Sequence, residues 1–234
     1  MVTIGIIVLL VAILLPVASV VRKRAYAVVC LGNQRQLMAA IHLYAFSNND
    51  VMPYNGWSNG PVANWLYNSG LPAAGPPFAQ SEVKTGRLWP YLKDVRLFRC
   101  AVDDGPWLTT SIQSMSSYIM NGAVNGYGRN GTKPNRLHIF KGDDVILWEL
   151  PLYSVSGISV NDPSNYPPEG VTSRHNKATS VGCIDGHAEL MQDSEFNSLC
   201  QSGPTRLWCE PNAGDGGVNR WPYGTIPNPI SMLP

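Results

Sequence analysis

The pattern of hydrophobic positions divides the first fifty residues into two halves. Residues 1–21 contain no charged side chain and are followed at once by Arg22, Lys23 and Arg24. An apolar stretch of this length is what a helix needs to cross a bilayer core of roughly 30 Å. Beyond the basic cluster, apolar residues recur every three or four positions, which is typical of an amphipathic helix. These positions are Ala27, Cys30, Leu31, Leu37, Met38, Ile41, Tyr44 and Ala45.

Both patterns predict a single helix that is apolar in its first half and amphipathic in its second. Polar Gln34 is the one gap in the amphipathic pattern, and Pro16 is expected to bend the helix without ending it. The residues Asn48-Asn49-Asp50 are expected to end the helix, and Pro53 to prevent its continuation. At 1.5 Å per residue, such a helix is about 70 Å long. We therefore assign residues 1–49 to a helix and residues 50–234 to a globular, β-rich domain.

The second half of the chain carries strand patterns. Short β-rich runs occur at residues 117–121, 144–150, 179–184 and 187–191. Asp185-Gly186 separates the last two runs and predicts a two-residue hairpin turn, in which both positions favour positive φ. The predicted fold is α+β, with a long N-terminal helix, an antiparallel sheet and loop-rich insertions.

Composition narrows the class of protein. The net charge of the 234 residues is +1, which provides no strong field for nucleic acid or for an acidic partner. Charged residues make up 14% of the chain, against roughly 25% in typical soluble domains. With 22 glycines and 19 prolines, the chain is expected to have a polar, uncharged and loop-rich surface, which is common outside the cytoplasm.

The charges next to the N-terminal segment leave three interpretations of it open. A cleaved signal peptide carries its basic residues before the apolar run, whereas here they come after it. As a membrane anchor, the segment is acceptable, but Arg22, Lys23 and Arg24 favour a cytoplasmic location for the domain on their C-terminal side. The third interpretation is a helix that leaves the membrane and packs in an assembly.

The five cysteines form no CxxC pair, so neither a zinc ribbon nor a thioredoxin-like motif is supported. Outside the cytosol, disulfides persist, and Cys200 and Cys209 bracket a short loop that a local disulfide can close. Cys30 can reach Cys100 only if the helix packs on the domain, and Cys183 is then left over. The alternative is that all five cysteines are free, partly buried thiols.

Candidate catalytic or metal-binding groups are few. The hairpin places Asp185 in the turn and His187 and Glu189 on one face of the returning strand, with His175 before the first strand. We therefore predict structural roles, with Asp185 fixing the turn and His175 hydrogen-bonding locally, and no metal site. No P-loop, GxSxG, HExxH or dinucleotide motif occurs, so no catalytic residue and no enzymatic activity are predicted.

Two loops carry weaker signals. The loop at residues 212–217 is rich in glycine and in oxygen-bearing side chains, as calcium-binding loops are. It lacks the alternating acidic ligands of an EF-hand, so a plain turn is favoured over a calcium site. Asn130-Gly131-Thr132 is a glycosylation-type triplet in a glycine-rich loop, which makes Asn130 the candidate glycan acceptor.

His175 is followed, after nine intervening residues, by Asp185-Gly186. Together with several other blocks of the sequence, this spacing resembles a known family, the prepilin-type proteins that carry a His-x9-Asp-Gly signature. These proteins are abundant in planctomycetes and resemble type II secretion pseudopilins and type IV pilins. Two positions differ from the family: Ala101 stands where proline usually follows the cysteine, and nothing corresponds to the glutamate near the start of the family's helix. The other matching blocks are Cys30-Leu31-Gly32-Asn33-Gln34-Arg35-Gln36-Leu37 with Tyr44, Trp89-Pro90-Tyr91-Leu92, Phe98-Arg99-Cys100, and Ser117-Tyr118 with Asn121.

The resemblance implies a pilin-like fold, in which the long N-terminal helix packs on the antiparallel sheet. It also implies a subunit of a filament or pseudopilus. Its N-terminal helix would bundle with copies of itself and its sheet domain would face outward. Before assembly, the subunit would be anchored in the inner membrane; afterwards it would belong to a periplasmic or extracellular filament, with other pilins and an inner-membrane assembly machinery as partners. The residues expected to carry assembly are Ile4, Ile7, Leu10, Leu14 and Pro16.

Two other classes of function stay open from the sequence. One is a membrane-anchored extracellular module that binds a ligand such as carbohydrate and never polymerises. The other is a secreted hydrolase whose signal peptide is still attached.

Overall fold

A computed structural model describes residues 2–57, 63–68, 80–103, 115–149 and 163–226. In the first half of the N-terminal helix it describes the side chains at positions 3, 4, 15 and 18 and all those from position 20 onward. The predicted assembly residue Ile4 is exposed. The side chains of Ile7, Leu10, Leu14 and Pro16 lie outside the described residues.

The N-terminal helix α1 runs without interruption over Val2–Ser47, so it continues past Pro16 as predicted. It ends where the sequence indicates, because Asn49 and Asp50 adopt left-handed backbone conformations with φ of 54° and 67°. The amide of Asp50 turns back to donate to the carbonyl of Ala45 at 2.8 Å. Within the described residues, no helix combines the length and the hydropathy that a membrane span requires.

Five strands form one sheet. They are β1 (Tyr118–Asn121), β2 (Val145–Glu149), β3 (Ser164–Asn165), β4 (Ala178–Cys183) and β5 (Ala188–Gln192), in the order β3-β1-β2-β4-β5. The α+β class is therefore confirmed, and four of the strands coincide with the predicted runs. The expectation of a purely antiparallel sheet is wrong, because β3 pairs in parallel with β1 at the edge.

The β4–β5 hairpin is present, but its turn differs from the predicted one. Cys183 pairs with His187 through a backbone hydrogen bond of 2.9 Å, which leaves three residues, 184–186, in the loop. Of these three, Gly186 alone has a positive φ, of 93°. This arrangement corresponds to the three-residue hairpin loop with glycine in its last position rather than to a two-residue turn.

One face of the sheet is covered by the second half of α1. There Leu37 and Ile41 share a core with Tyr118 of β1. The short helix α2 (Trp89–Leu92) and a 3-10 turn at Val95–Phe98 lie beside α1. The helix and the sheet are therefore parts of one packed unit.

The other face of the sheet buries a separate cluster of apolar side chains. It is covered by helix α3 (Asp193–Cys200), whose Phe196 packs with Trp148 of β2. Strand β2 is thus buried on both sides. A register shift between Val145 and Leu147 interrupts its pairing with β4.

Close approach of α1 to the sheet depends on a glycine. A Cβ atom at Gly182 of β4 would lie 3.0 Å from both Gln34 Oε1 and Met38 Cγ. Gln34, the polar gap in the helix pattern, lies on the buried face and donates to the carbonyl of Ser180 at 3.1 Å. The hydrogen bond of Gln34 thus helps to fix the position of α1 on β4.

Candidate functional site

The densest group of chemically active side chains in the described part of the chain lies under α1. Cys30 of α1, Cys100, Glu149 at the end of β2 and His175 in the turn before β4 are all buried, with mutual ligand-atom distances below 4.8 Å. The Sγ atoms of Cys30 and Cys100 are 2.7 Å apart. His175 Nε2 lies 3.4 Å from Cys100 Sγ and 2.8 Å from Glu149 Oε1. Four distant parts of the chain therefore meet at one point.

The contacts around the two cysteines explain why they meet. One turn after Cys30, the Asn33 side chain donates to the carbonyl of Arg99 at 2.9 Å and to the hydroxyl of Tyr118 at 3.3 Å. The amide of Cys100 donates to Ser117 Oγ at 2.8 Å. The segment that carries Cys100 is thus fixed between α1 and the start of β1.

Charges in the cluster are balanced by a buried arginine. Glu149 is fully buried and accepts a hydrogen bond from Ser180 Oγ at 2.5 Å. Arg174 lies 3.0 Å from Asp103 and 3.9 Å from the second oxygen of Glu149. Arg174 and protonated His175 therefore face the carboxylates of Asp103 and Glu149, so each buried carboxylate has a cationic partner.

The protonation of the cluster depends on these neighbours. Burial by itself disfavours the imidazolium, but Cys30 and Glu149 outweigh it and raise the pKa of His175 to about 9. A hydrogen bond with Cys100 lowers the pKa of Cys30 to about 6, against the effect of burial, while that bond and burial raise the pKa of Cys100. In the reduced pair, Cys30 is therefore the cysteine that ionises first and the more reactive nucleophile.

The two halves of the His-x9-Asp-Gly signature have different environments. His175 belongs to the buried cluster, whereas Asp185 and His187 lie exposed in the hairpin. Asp185 Oδ1 accepts the backbone amide of His187 at 3.0 Å and lies 2.5 Å from its ring Nδ1. Asp185 accepts these bonds within the loop, whereas the ring of His175 bonds Glu149, 26 residues away, and not a local group as expected.

A second group, Cys183, His187 and Glu189, also has ligand atoms close together. The guanidinium of Arg206 donates to Cys183 Sγ at 3.1 Å and to Glu189 Oε1. Because a cation already occupies the space between these two groups, they do not offer a metal site.

The cysteine expectations have mixed outcomes. All five cysteines are free thiols in the structure. The local bridge between Cys200 and Cys209 is not formed, because the two side chains lie in the cores on different faces of the sheet. Cys30 and Cys100, in contrast, are brought together, since the helix does pack on the domain.

The remaining candidate residues lie in loops. Asn130 is exposed, and its amide nitrogen lies 3.2 Å from the side-chain oxygen of Asn135. In the loop at residues 212–217, the carboxylate oxygens of Asp215 accept the amides of Gly217 and Asn219, both at 3.1 Å. Asp215 thus bonds the backbone on the N-terminal side of the 3-10 turn Val218–Arg220 and within it.

Sequence reasoning does not identify Glu149, Arg174 and Asp103 as part of a site. One signal for Glu149 is present in the sequence, because this glutamate lies inside the apolar run 145–150. If that run is a central strand, the carboxylate is buried and requires a partner. The partner itself cannot be named from the sequence, because it comes from a turn about 25 residues later.

Comparisons of the chain with protein-family models, with curated proteins and with solved structures return no match.

Proposed function

We propose that this protein is a structural subunit of an extracellular pilus-like filament or pseudopilus and that it assembles through α1. The observation that carries the proposal is the exposure of the described side chains in the first half of this helix. Every described side chain between positions 3 and 25 is exposed, in a stretch whose first 21 residues hold no charge. Burying one such Val, Leu or Ile is worth about 1.5–3 kcal/mol, so the segment requires a cover.

The outer face of α1 continues this surface along the domain. We call it the open face; it consists of positions spaced by three or four residues and points away from the sheet. Val28 is 66% exposed and Phe46 is 90% exposed. Small residues lie between them, so another helix can approach closely. The members of the open face are Val21, Ala25, Val28, Gly32, Gln36, Ala39, Leu43 and Phe46.

A second copy of the same chain is the occupant that fits these features. Residues 1–21 offer no charge for a partner to complement, so the same segment of another copy matches them in length and in apolar character. Heterologous contacts between copies through this helix generate a helical filament when their rotation does not close into a ring. Lipid covers the same surface before assembly, which makes the subunit a cell-envelope protein at that stage.

Electron microscopy of the purified full chain after detergent removal tests the proposal. Wild-type protein is expected to form filaments, and Val21→Glu to prevent them, because a charge in the covered stretch is costly to bury. Tyr223→Glu, at a residue 64% exposed on the domain, is the matched control and should leave filaments unchanged.

Monodisperse wild-type particles under all detergent-free conditions would contradict the proposal. They would favour the membrane-anchored binding module instead. A mature chain shown by N-terminal sequencing to begin beyond residue 21 would contradict it as well, since the apolar stretch would then be a removed signal.

A further inference from the structure

Cys30 and Cys100 are set apart from the other three cysteines by their surroundings. Their sulfur atoms are neighbours, although the residues lie 70 positions apart in the chain. Cys183 Sγ accepts a hydrogen bond from Arg206. Burial raises the pKa of both Cys200 and Cys209. Cys30 also accepts a backbone hydrogen bond, because Ala101 N donates to its Sγ at 3.3 Å.

We infer that Cys30 and Cys100 form a disulfide that fastens α1 to the sheet domain when the protein is in an oxidising compartment. The bond joins the packed half of α1 to the segment after the 3-10 turn Val95–Phe98. This assignment is independent of filament formation, since it concerns contacts within one chain.

A zinc ion is the competing occupant, because two cysteines, a histidine and a glutamate are all zinc ligands. Two thiolates bound tetrahedrally to one zinc ion lie about 3.8 Å from each other, given zinc–sulfur distances of about 2.3 Å. The 2.7 Å between the two sulfur atoms is much shorter than that. Glu149 is also engaged already, by His175, Ser180 and Arg174. The geometry therefore favours a bond between the sulfur atoms over a shared metal.

Formation of the bond requires an external disulfide as the oxidant. The thiolate of one cysteine attacks a sulfur of the external disulfide, which gives a mixed disulfide and releases one thiolate. The second cysteine then attacks the protein sulfur of the mixed disulfide and releases the other thiolate. The two protons of the cysteines pass to the two released thiolates, so the external disulfide is reduced to two thiols. Because both residues are buried in the folded chain, this exchange belongs to folding.

The test refolds the reduced full chain in detergent with a mixture of reduced and oxidised glutathione. The product is then denatured and alkylated without reductant. Three cysteines are expected to be modified, the five of the chain minus the two in the bond, and all five after reduction. Peptide mapping should recover a linked peptide pair containing Cys30 and Cys100. Before denaturation, a mild reductant should leave the bond intact, since it is buried.

Two variants and one metal measurement make the result decisive. Cys183→Ser should retain the linked peptide pair, whereas Cys30→Ser should lose it and leave all of its cysteines open to alkylation. Modification of all five cysteines in the wild type, or a bond that links another pair, would overturn the inference. The last measurement is the zinc content after refolding with added zinc chloride. One tightly bound zinc ion per chain and no disulfide would also overturn the inference.

A stability measurement on the wild type needs no variant that might fail to fold. Closing a loop of this length restricts the unfolded chain strongly. The oxidised protein should therefore unfold at a temperature roughly 10 °C higher than the reduced protein. Equal midpoints for the two forms would contradict the role as a fastener of α1.

Discussion

The two faces of α1 are similar in their apolar residues but differ in what their polar residues do. The packed face carries Asn33 and Gln34 among its buried side chains, and both hydrogen-bond to groups of the domain. On the open face, the polar member Gln36 bonds back within the helix, to the carbonyl of Gly32. The packed face is therefore fixed in one register by directed bonds, whereas the open face presents mainly apolar side chains and no such bond to the rest of the chain.

The largest expected difference between the faces is in stability. Leu37 on the packed face is fully buried, and Leu43 on the open face is 52% exposed. Leu37→Ala should lower the free energy of unfolding by about 3 kcal/mol, because it leaves a cavity in the core. Leu43→Ala, the matched control, should change it by less than about 0.5 kcal/mol. Urea unfolding of the detergent-solubilised variants measures both values. Equal losses would show that the open face is covered within the same chain.

A smaller effect depends on pH and comes from the cluster beneath the packed face. The folded-state pKa of His175, about 9, lies above its ordinary value of 6.5. Its contribution to stability is therefore complete below pH 6.5 and is lost as the pH rises through 9. The loss should amount to roughly 2–3 kcal/mol.

Urea unfolding between about pH 6 and about pH 9.5 brackets the two pKa values of His175. Because the lowered pKa of Cys30 makes its ionisation raise stability over the same interval, the His175 contribution is the difference between the wild-type and His175→Gln curves. His187→Gln, which changes the exposed histidine of the hairpin, is the control and should retain the wild-type curve. Wild-type and His175→Gln curves with the same slope would contradict the protonated state of His175.

The sequence predicts those parts of the fold that depend on local pattern. The end of α1, its buried positions and strands β1, β2, β4 and β5 follow from periodicity and from the residues at positions 48–50. Strand β3, with two residues, and helix α3, with eight, are too short to produce a clear period, so the sequence pattern does not predict them.

The buried cluster shows the same limit more sharply. The sequence identifies His175 and both cysteines as candidates, but their convergence with Glu149 depends on how α1 packs and on how β2 pairs with β4. Pairing across such distances is decided by the whole core, so no local pattern records it. For the same reason, the His-x9-Asp-Gly signature does not reveal that its histidine is buried and its Asp-Gly pair lies in an exposed loop.

A third prediction concerns the directed bonds of the packed face. Asn33→Ala removes the donor that bonds the carbonyl of Arg99 and the hydroxyl of Tyr118. Because both bonds are at least partly buried, the free energy of unfolding should fall by about 1–2 kcal/mol. Gln36→Ala is the control: its side chain is exposed and bonds within the helix, so its loss should cost under about 0.5 kcal/mol. If both variants unfold alike, the register of α1 is set by apolar packing alone.

The smallest effect on stability should accompany a large effect on assembly. Phe46 is 90% exposed, so Phe46→Ser removes almost no contact within the chain and should change the free energy of unfolding by less than about 0.5 kcal/mol. If copies pack through the open face, the same change removes about 1.5–3 kcal/mol of apolar burial at each contact and raises the concentration needed for filaments more than about tenfold. Sedimentation of filaments over a range of protein concentrations measures this shift, with Tyr223→Ser as the control. An unchanged threshold would mean that assembly, where it occurs, uses the first half of α1 without the open face beside the domain.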